Sequence, residues 1–244
     1  MATSPTTATI PPTTAGAANG PLGAVAGKTI VIDPGHNGQN YAHPDVINRP
    51  VDIKTKVITC DTTGTATRDG YTESAYNLDV ALRVAALLRL SGANVVMTRT
   101  DNNGVGPCID ERAAIGNRAH AAVGISIHAD GGPVSGRGFH VIYPPSIPGI
   151  TDSIAANSSR LALDVRAAYQ QGTGMPFATY IGTGDGLSVR SDLGGLNLSV
   201  VPKVFIETGN MQNPTDAVLL ETEAFRQEAA AAIATGLSVY LAGR

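Results

Sequence analysis

The sequence predicts a single α/β domain with a mainly parallel or mixed central sheet and helices on both faces. Three observations predict it. Short apolar, β-branched runs alternate with longer segments whose apolar residues recur at helical spacing, the pattern of a layered α/β fold. Runs such as KTIVID, GISIH and VFIE stay apolar almost to their ends, as strands covered on both faces do. The chain has 244 residues, 43% of them hydrophobic and 15% charged, which suits one such domain better than two.

The first residues, MATSPTTATIPPTTAGAANG, have a composition that buries no core and reads as a disordered leader. They carry neither the basic nor the apolar region of an intact signal peptide. The expectation is a disordered or signal-stripped segment at 1–27 and a folded domain at 28–244. Residues 28–33 (KTIVID) form the first strand, which stops at Asp33-Pro34-Gly35 and presents His36. The next stretch, 37–72, is polar and rich in Gly, Asn and Thr, long for a compact domain unless functional or pinned.

Residues 74–90 follow as a helix, with Leu78, Leu82, Ala85 and Leu88 at apolar spacing and Ser91-Gly92 as its stop. A strand at 94–97 and a helix at 110–121 come next, with Arg112 and Arg118 expected on the polar side of that helix. Strands are predicted at 124–128 and 138–143, and a helix at 154–171. A Gly-rich stretch, 172–200, leads into a strand at 204–207 and a terminal helix at 224–241.

Composition also excludes partners. The formal net charge is -3 with no long basic block, so a nucleic-acid partner is not expected. No apolar run reaches the length of a membrane span, which argues against stable membrane insertion. Trp is absent, so a large aromatic platform for carbohydrate is not expected either. Cys60 and Cys108 form no CxxC pair. In a cytosolic protein they read as two thiols; in an exported one, as a disulfide. Such a bridge contributes roughly 4 kcal/mol in the chain-entropy model.

Ligand sites in open α/β sheets lie beyond the carboxyl ends of the strands. Three strand ends here carry His36, His128 and Glu207, and Glu73 opens the first long helix. Two histidines and a carboxylate suit a hydrolytic zinc site with one open position, and a second carboxylate suits proton transfer. His36, Glu73 and His128 as ligands with Glu207 as acid/base satisfy this count, although spacing alone does not separate the roles of the two glutamates. Glu73 also fits a plain helix start, where an acidic residue meets the helix dipole.

The motifs IVIDPGH, a Glu opening a helix, VVMTRTD, DERAAIGNRA, SIHAD and FIETGN run in order from about residue 28 to the C-terminus. Together they resemble the zinc-dependent N-acetylmuramoyl-L-alanine amidases (the amidase-3 family). GPCIDER and the segment carrying Cys60 resemble its short, single-domain mycobacterial-type members. The resemblance implies one zinc ion held by His36, Glu73 and His128, with Glu207 as the catalytic carboxylate. It also implies hydrolysis of the amide between the lactyl group of N-acetylmuramic acid and L-alanine of the stem peptide. Asp130 and Asn210 depart from the commonest residues after SIHA and ETG, which bears on substrate preference.

A substrate outside the cytoplasmic membrane makes the signal-stripped leader and a Cys60–Cys108 disulfide mutually consistent. The expected protein is secreted, periplasmic or wall-associated, a monomer acting on peptidoglycan or soluble muropeptides. Two rivals share the metal: a zinc peptidase cutting within the stem peptide, and a zinc-containing wall-binding protein without turnover. Among the remaining residues, Asn197 is a possible substrate contact. Arg112 and Asn117 suit helix packing or salt bridges. His43 and His120 are expected in solvent, and His140 in a structural position or facing the site.

Overall fold

The computed structural model describes residues 22–243. Most of the leader therefore lies outside the described residues. Residues 22–27 do not behave as a leader: Val25, in a short 3-10 turn, is fully buried in the main core. The folded unit thus begins before residue 28.

Six strands form a mixed sheet. In chain order the elements begin with β1 (Thr29–Pro34), α1 (Pro44–Ile47), β2 (Pro50–Asp52), β3 (Val57–Thr59), α2 (Glu73–Leu90) and β4 (Asn94–Met97). They continue with α3 (Ile109–Arg118), β5 (Val123–Asp130), β6 (His140–Tyr143), α4 (Ala155–Thr173) and β7 (Leu187–Val189). The last are α5 (Gly194–Asn197), β8 (Lys203–Asn210), α6 (Pro214–Glu221) and α7 (Glu223–Ala242). The sheet order is β4-β1-β5-β8-β6-β7. Strands β4, β1, β5 and β8 run parallel, and β6 pairs antiparallel with β8. β2 and β3 form a separate hairpin.

The pleat sorts side chains between two faces, because successive residues of a strand point opposite ways. Ile30, Ile32, Ile125, Ile127, Val204 and Ile206 enter the main core. That core is closed by α2, α4 and α7, which pack on one another and on the sheet. Val31 faces the other way, into a small cluster with Ala121 and Val201. Ser126 and Lys203 both bond Asp33, so they share that second face, and His128 and Glu207 follow them at even spacing. Strand alternation thus aims the chemistry-bearing residues away from the main core.

Two expectations are corrected, on α2 and Arg112, and the expected pinning of 37–72 is found. The buried stripe of α2 is Tyr76, Val80, Ala81, Val84, Ala85 and Leu88, while Leu82 is exposed; the helix is rotated so that Glu73 and Asn77 are buried too. Arg112 is buried rather than on a solvated face, because two carboxylates pair with it. The stretch 37–72 is pinned by its own hairpin and by a Cys60–Cys108 disulfide. Around that bridge Val51, Ile53 and Cys60 form a satellite core with Ile58, Cys108, Ile109 and Leu198 packed against it. Among the described residues no helix is long and apolar enough to cross a membrane.

Candidate active site

Just past the end of β1, the turn Asp33-Pro34-Gly35 is tied down before His36 emerges. Asp33 is buried and accepts from Thr98 Oγ1 at 2.7 Å, Ser126 Oγ at 2.6 Å, Arg112 Nη1 at 2.9 Å and Lys203 Nζ at 2.9 Å. Burial alone would raise its pKa, but Lys203, Arg112 and the two hydroxyls outweigh burial and hold the carboxyl well below its usual range. Arg99 donates to the carbonyls of Pro34 and Gly35 and also to that of Ser74 at the start of α2. One guanidinium therefore joins the segment that carries His36 to the segment that carries Glu73. His36 itself has φ 57°, a conformation a non-glycine residue holds only when its surroundings enforce it.

Glu73 enters through the N-terminus of α2, where Thr72 caps by accepting from Ala75 N–H. One carboxylate oxygen, Oε2, accepts from Thr65 N–H at 3.0 Å and meets His36 Nε2 at 3.2 Å. The other, Oε1, meets His128 Nδ1 at 2.9 Å and accepts from Asn77 Nδ2 at 3.3 Å. Glycine makes room here: at Gly64, φ +74°, a Cβ would lie 2.7 Å from Glu73 Oε2 and 2.8 Å from His36 Cδ2. The His36 and His128 rings meet edge to face with centroids 5.0 Å apart, and His128 stacks on Phe205 at 5.3 Å.

One ligand atom from each of His36, Glu73 and His128 falls within a common 4.8 Å. The trio could hold a metal ion: two imidazoles and a carboxylate offer three donors, and one side faces a cavity of about 310 Å³. Its electrostatics agree. Burial would push His36 down, yet the carboxylates of Glu73 and Asp61 hold it up at about 10. Burial would raise Glu73, but His36 and His128 bring it well below the usual range. A carboxylate-rich pocket that draws a proton onto His36 is also one that attracts a cation in its place.

Glu207 lines the same cavity. It sits in β8 in register with His128 of β5. Burial first, then the negative charges of Glu73 and Asp130, push its pKa well above the usual carboxylate value. Its Oε2 is buried with no hydrogen-bond partner among the described residues. An unsatisfied carboxylate oxygen at that depth is costly unless a bound molecule completes it.

Other candidates divide. Asn197 is not in the cavity; its amide donates to Ile53 O, Thr55 Oγ1 and Ser191 O, so it tethers the hairpin to the loop before α5. The substrate contact expected at Asn197 is thus not among the residues lining this cavity. Asn117 is bonded to Leu198 O and Val200 N–H, holding the approach to β8. Arg112 pairs with Asp33 and Asp61. His43 and His120 are exposed. His140 lies opposite Glu207 in register and is buried, yet it does not line the cavity. Asp130 does line it, whereas Asn210 is structural, donating to Pro133 O and Gly136 O.

Two further residues of the site, Asp61 and Arg190, are not evident from sequence. Arg190 lines the cavity and is held by a two-point contact with Asp192. Asp61 meets His36 Nδ1 at 3.1 Å. Neither belongs to a motif, and only the adjacency of Asp61 to Cys60 hints at a pinned position.

A family profile described as N-acetylmuramoyl-L-alanine amidase matches residues 30–239. The N-acetylmuramoyl-L-alanine amidase Rv3717 of Mycobacterium tuberculosis is 42% identical over 219 residues, covering 89% of this chain and 88% of that protein. Among solved structures, the N-acetylmuramyl-L-alanine amidase Ami1 from Mycobacterium smegmatis matches with TM-score 0.84 and 42% identity, over 90% of this chain and 99% of that one. Ami1 from Mycobacterium abscessus matches with TM-score 0.83 and 41% identity, over 89% and 100%.

Proposed function

The chain belongs to the N-acetylmuramoyl-L-alanine amidase family, and from that premise we propose how its residues perform the reaction. The enzyme hydrolyses the amide that joins the lactyl group of N-acetylmuramic acid to L-alanine of the peptidoglycan stem peptide. His36, Glu73 and His128 are the ligands of one zinc ion. The observation that carries this reading is the convergence of their three donor atoms beside the unpartnered oxygen of Glu207. Zinc, when bound, supplies Lewis acidity that makes water a better nucleophile at neutral pH and polarises a carbonyl.

The protein's own part is positioning and proton transfer. Glu207 accepts the proton of the attacking water at Oε2 and delivers it to the departing alanine nitrogen. Its raised pKa suits a group that must both take a proton and give it back. Asp130 and Arg190, on the walls of the same cavity, face the substrate's polar groups. Asp192 holds Arg190, so its charge is presented in a fixed place. The disulfide and the location of peptidoglycan support action outside the cytoplasmic membrane, by a catalytic domain that acts as a monomer.

The test is mass spectrometry of products from a defined muropeptide incubated with the protein, with and without chelator. Free stem peptide beginning at L-alanine, together with the peptide-free sugar, is expected only without chelator. Cleavage inside the peptide would make the protein a zinc peptidase instead. An intact substrate on a zinc-loaded protein would make it a binder.

A further inference from the structure

The imidazole of His36 is gripped on the side away from Glu73. Its Nδ1 lies 3.1 Å from Asp61 Oδ1, 3.1 Å from Thr62 O and 3.4 Å from Thr62 Oγ1. The first two are pure acceptors, so Nδ1 carries a hydrogen and Nε2 is the nitrogen left to face Glu73 and the cavity. Asp61 is held in turn. Its Oδ1 accepts from Thr62 N–H at 2.8 Å and its Oδ2 from Arg112 Nη2 at 3.3 Å. The same guanidinium donates to the carbonyls of His36 and Pro34 at 2.9 and 2.7 Å, so Arg112 fixes both the ring's partner and the ring's own backbone.

A covalent link joins these two devices. Cys60 precedes Asp61 directly, and Cys108 is the N-cap residue of α3, the helix that carries Arg112. Arg112 N–H donates to Cys108 O at 2.9 Å, and Ile109 N–H donates to Cys60 O at 2.9 Å. The disulfide therefore fastens the strand end bearing Asp61 to the helix start bearing Arg112, across 48 residues of chain.

We infer that Asp61 is a positioning residue of the metal centre: its carboxylate, locked to Arg112 across the Cys60–Cys108 bridge, holds the His36 ring in the orientation that presents Nε2 to the metal. Outer carboxylates of this kind orient a ligating histidine and raise its basicity, and their loss weakens metal binding on the order of 10–100-fold. The inference rests on the reading of His36 as a zinc ligand.

The test uses the full chain and measures zinc dissociation constants by competition with a chromophoric chelator, with circular dichroism as the check on folding. Asp61→Ala is expected to bind zinc on the order of 10–100-fold more weakly. Asp61→Asn, whose amide oxygen still accepts from Nδ1 but carries no charge, should fall between it and the native chain. Arg118→Ala, which breaks an exposed ion pair on the same helix, should bind like the native chain. In the zinc-loaded native protein, nitrogen NMR should show His36 protonated at Nδ1, with that signal displaced in both Asp61 variants. Removing the bridge with Cys60→Ser and Cys108→Ser should weaken zinc in the native background and add nothing further in the Asp61→Ala background.

Native-like zinc affinity in both Asp61 variants would overturn the assignment. Should Asp61→Ala fail to fold, Asp61→Asn decides alone, and native affinity there sinks it. Fully additive losses from the bridge and Asp61 would remove the disulfide's part. A native chain that takes up no zinc would overturn the metal reading and this inference with it.

Discussion

Gly35 and His128 occupy one space: a Cβ added at Gly35 would collide with the His128 imidazole. The glycine before His36 thus serves the other histidine, on a strand paired with its own. A flexible side-chain tip could step aside, but His128 is stacked on Phe205 and bonded to Glu73. Gly35→Ala should therefore displace a ligand while leaving the sheet intact. Zinc affinity is expected to fall on the order of tenfold or more, with the far-ultraviolet circular dichroism unchanged. Native affinity in this variant would mean that the ring has a second acceptable position.

The proposed roles separate proton transfer at Glu207 from metal binding. Glu207→Gln should keep zinc and lose turnover by about 10²–10⁴-fold, the usual worth of a positioned acid/base group. His36→Ala should lose both. Zinc content and product formation, measured on the same preparations, check the pair. An active Glu207→Gln enzyme would reassign the proton transfer.

His140 makes stability depend on pH. Burial first, and then the charge of Arg190, lower its pKa to about 4, so the folded protein keeps it neutral through mildly acid pH. An unfolded histidine takes up a proton below about 6.5. Between these values the unfolded state binds the extra proton, so stability is full above about pH 6.5 and declines as the pH falls toward about 4. The decline from this group between pH 7 and 4.5 is about 2–3 kcal/mol. Urea unfolding of native protein and His140→Gln at both pH values, in chelator throughout, should show a smaller loss in the variant by that amount. Equal losses would mean that His140 is already hydrated or partnered.

The Asn197 amide is a tether. It holds three acceptors in the hairpin region and the loop at Ser191, so Asn197→Ala should destabilise the fold by about 1–3 kcal/mol. Product formation by the zinc-loaded variant should change little. A rise in KM with unchanged stability would restore it as a substrate contact.

Residues that act through their place on a strand are legible in the amino-acid order. His36, His128 and Glu207 end or close apolar runs, and in a parallel sheet such ends share one edge. The order of strands and helices is equally readable, since β-branched runs and helical spacing are local signals. Short pieces escape: β2 and β3 in the polar stretch, β7 and α5 in the Gly-rich one, and α6 before the terminal helix. Each is only three to eight residues long, and tertiary contacts rather than pattern hold pieces of that length.

The amino-acid order alone therefore carries the layered fold, the family and the four residues around the cavity, because period and motif report on neighbours a few positions away. Packing in three dimensions settles which way α2 turns, so that Tyr76 and Val84 are buried and Leu82 is not. It also puts Arg112 inside and directs the Asn197 amide to the hairpin. Asp61 is the clearest case. Its bond to His36 spans 25 residues and its bond to Arg112 spans 51. A carboxylate in a polar stretch carries no mark of such partners. They meet because burying charge is tolerable only when opposite charge and hydrogen bonds come with it, and the tertiary fold selects which groups those are.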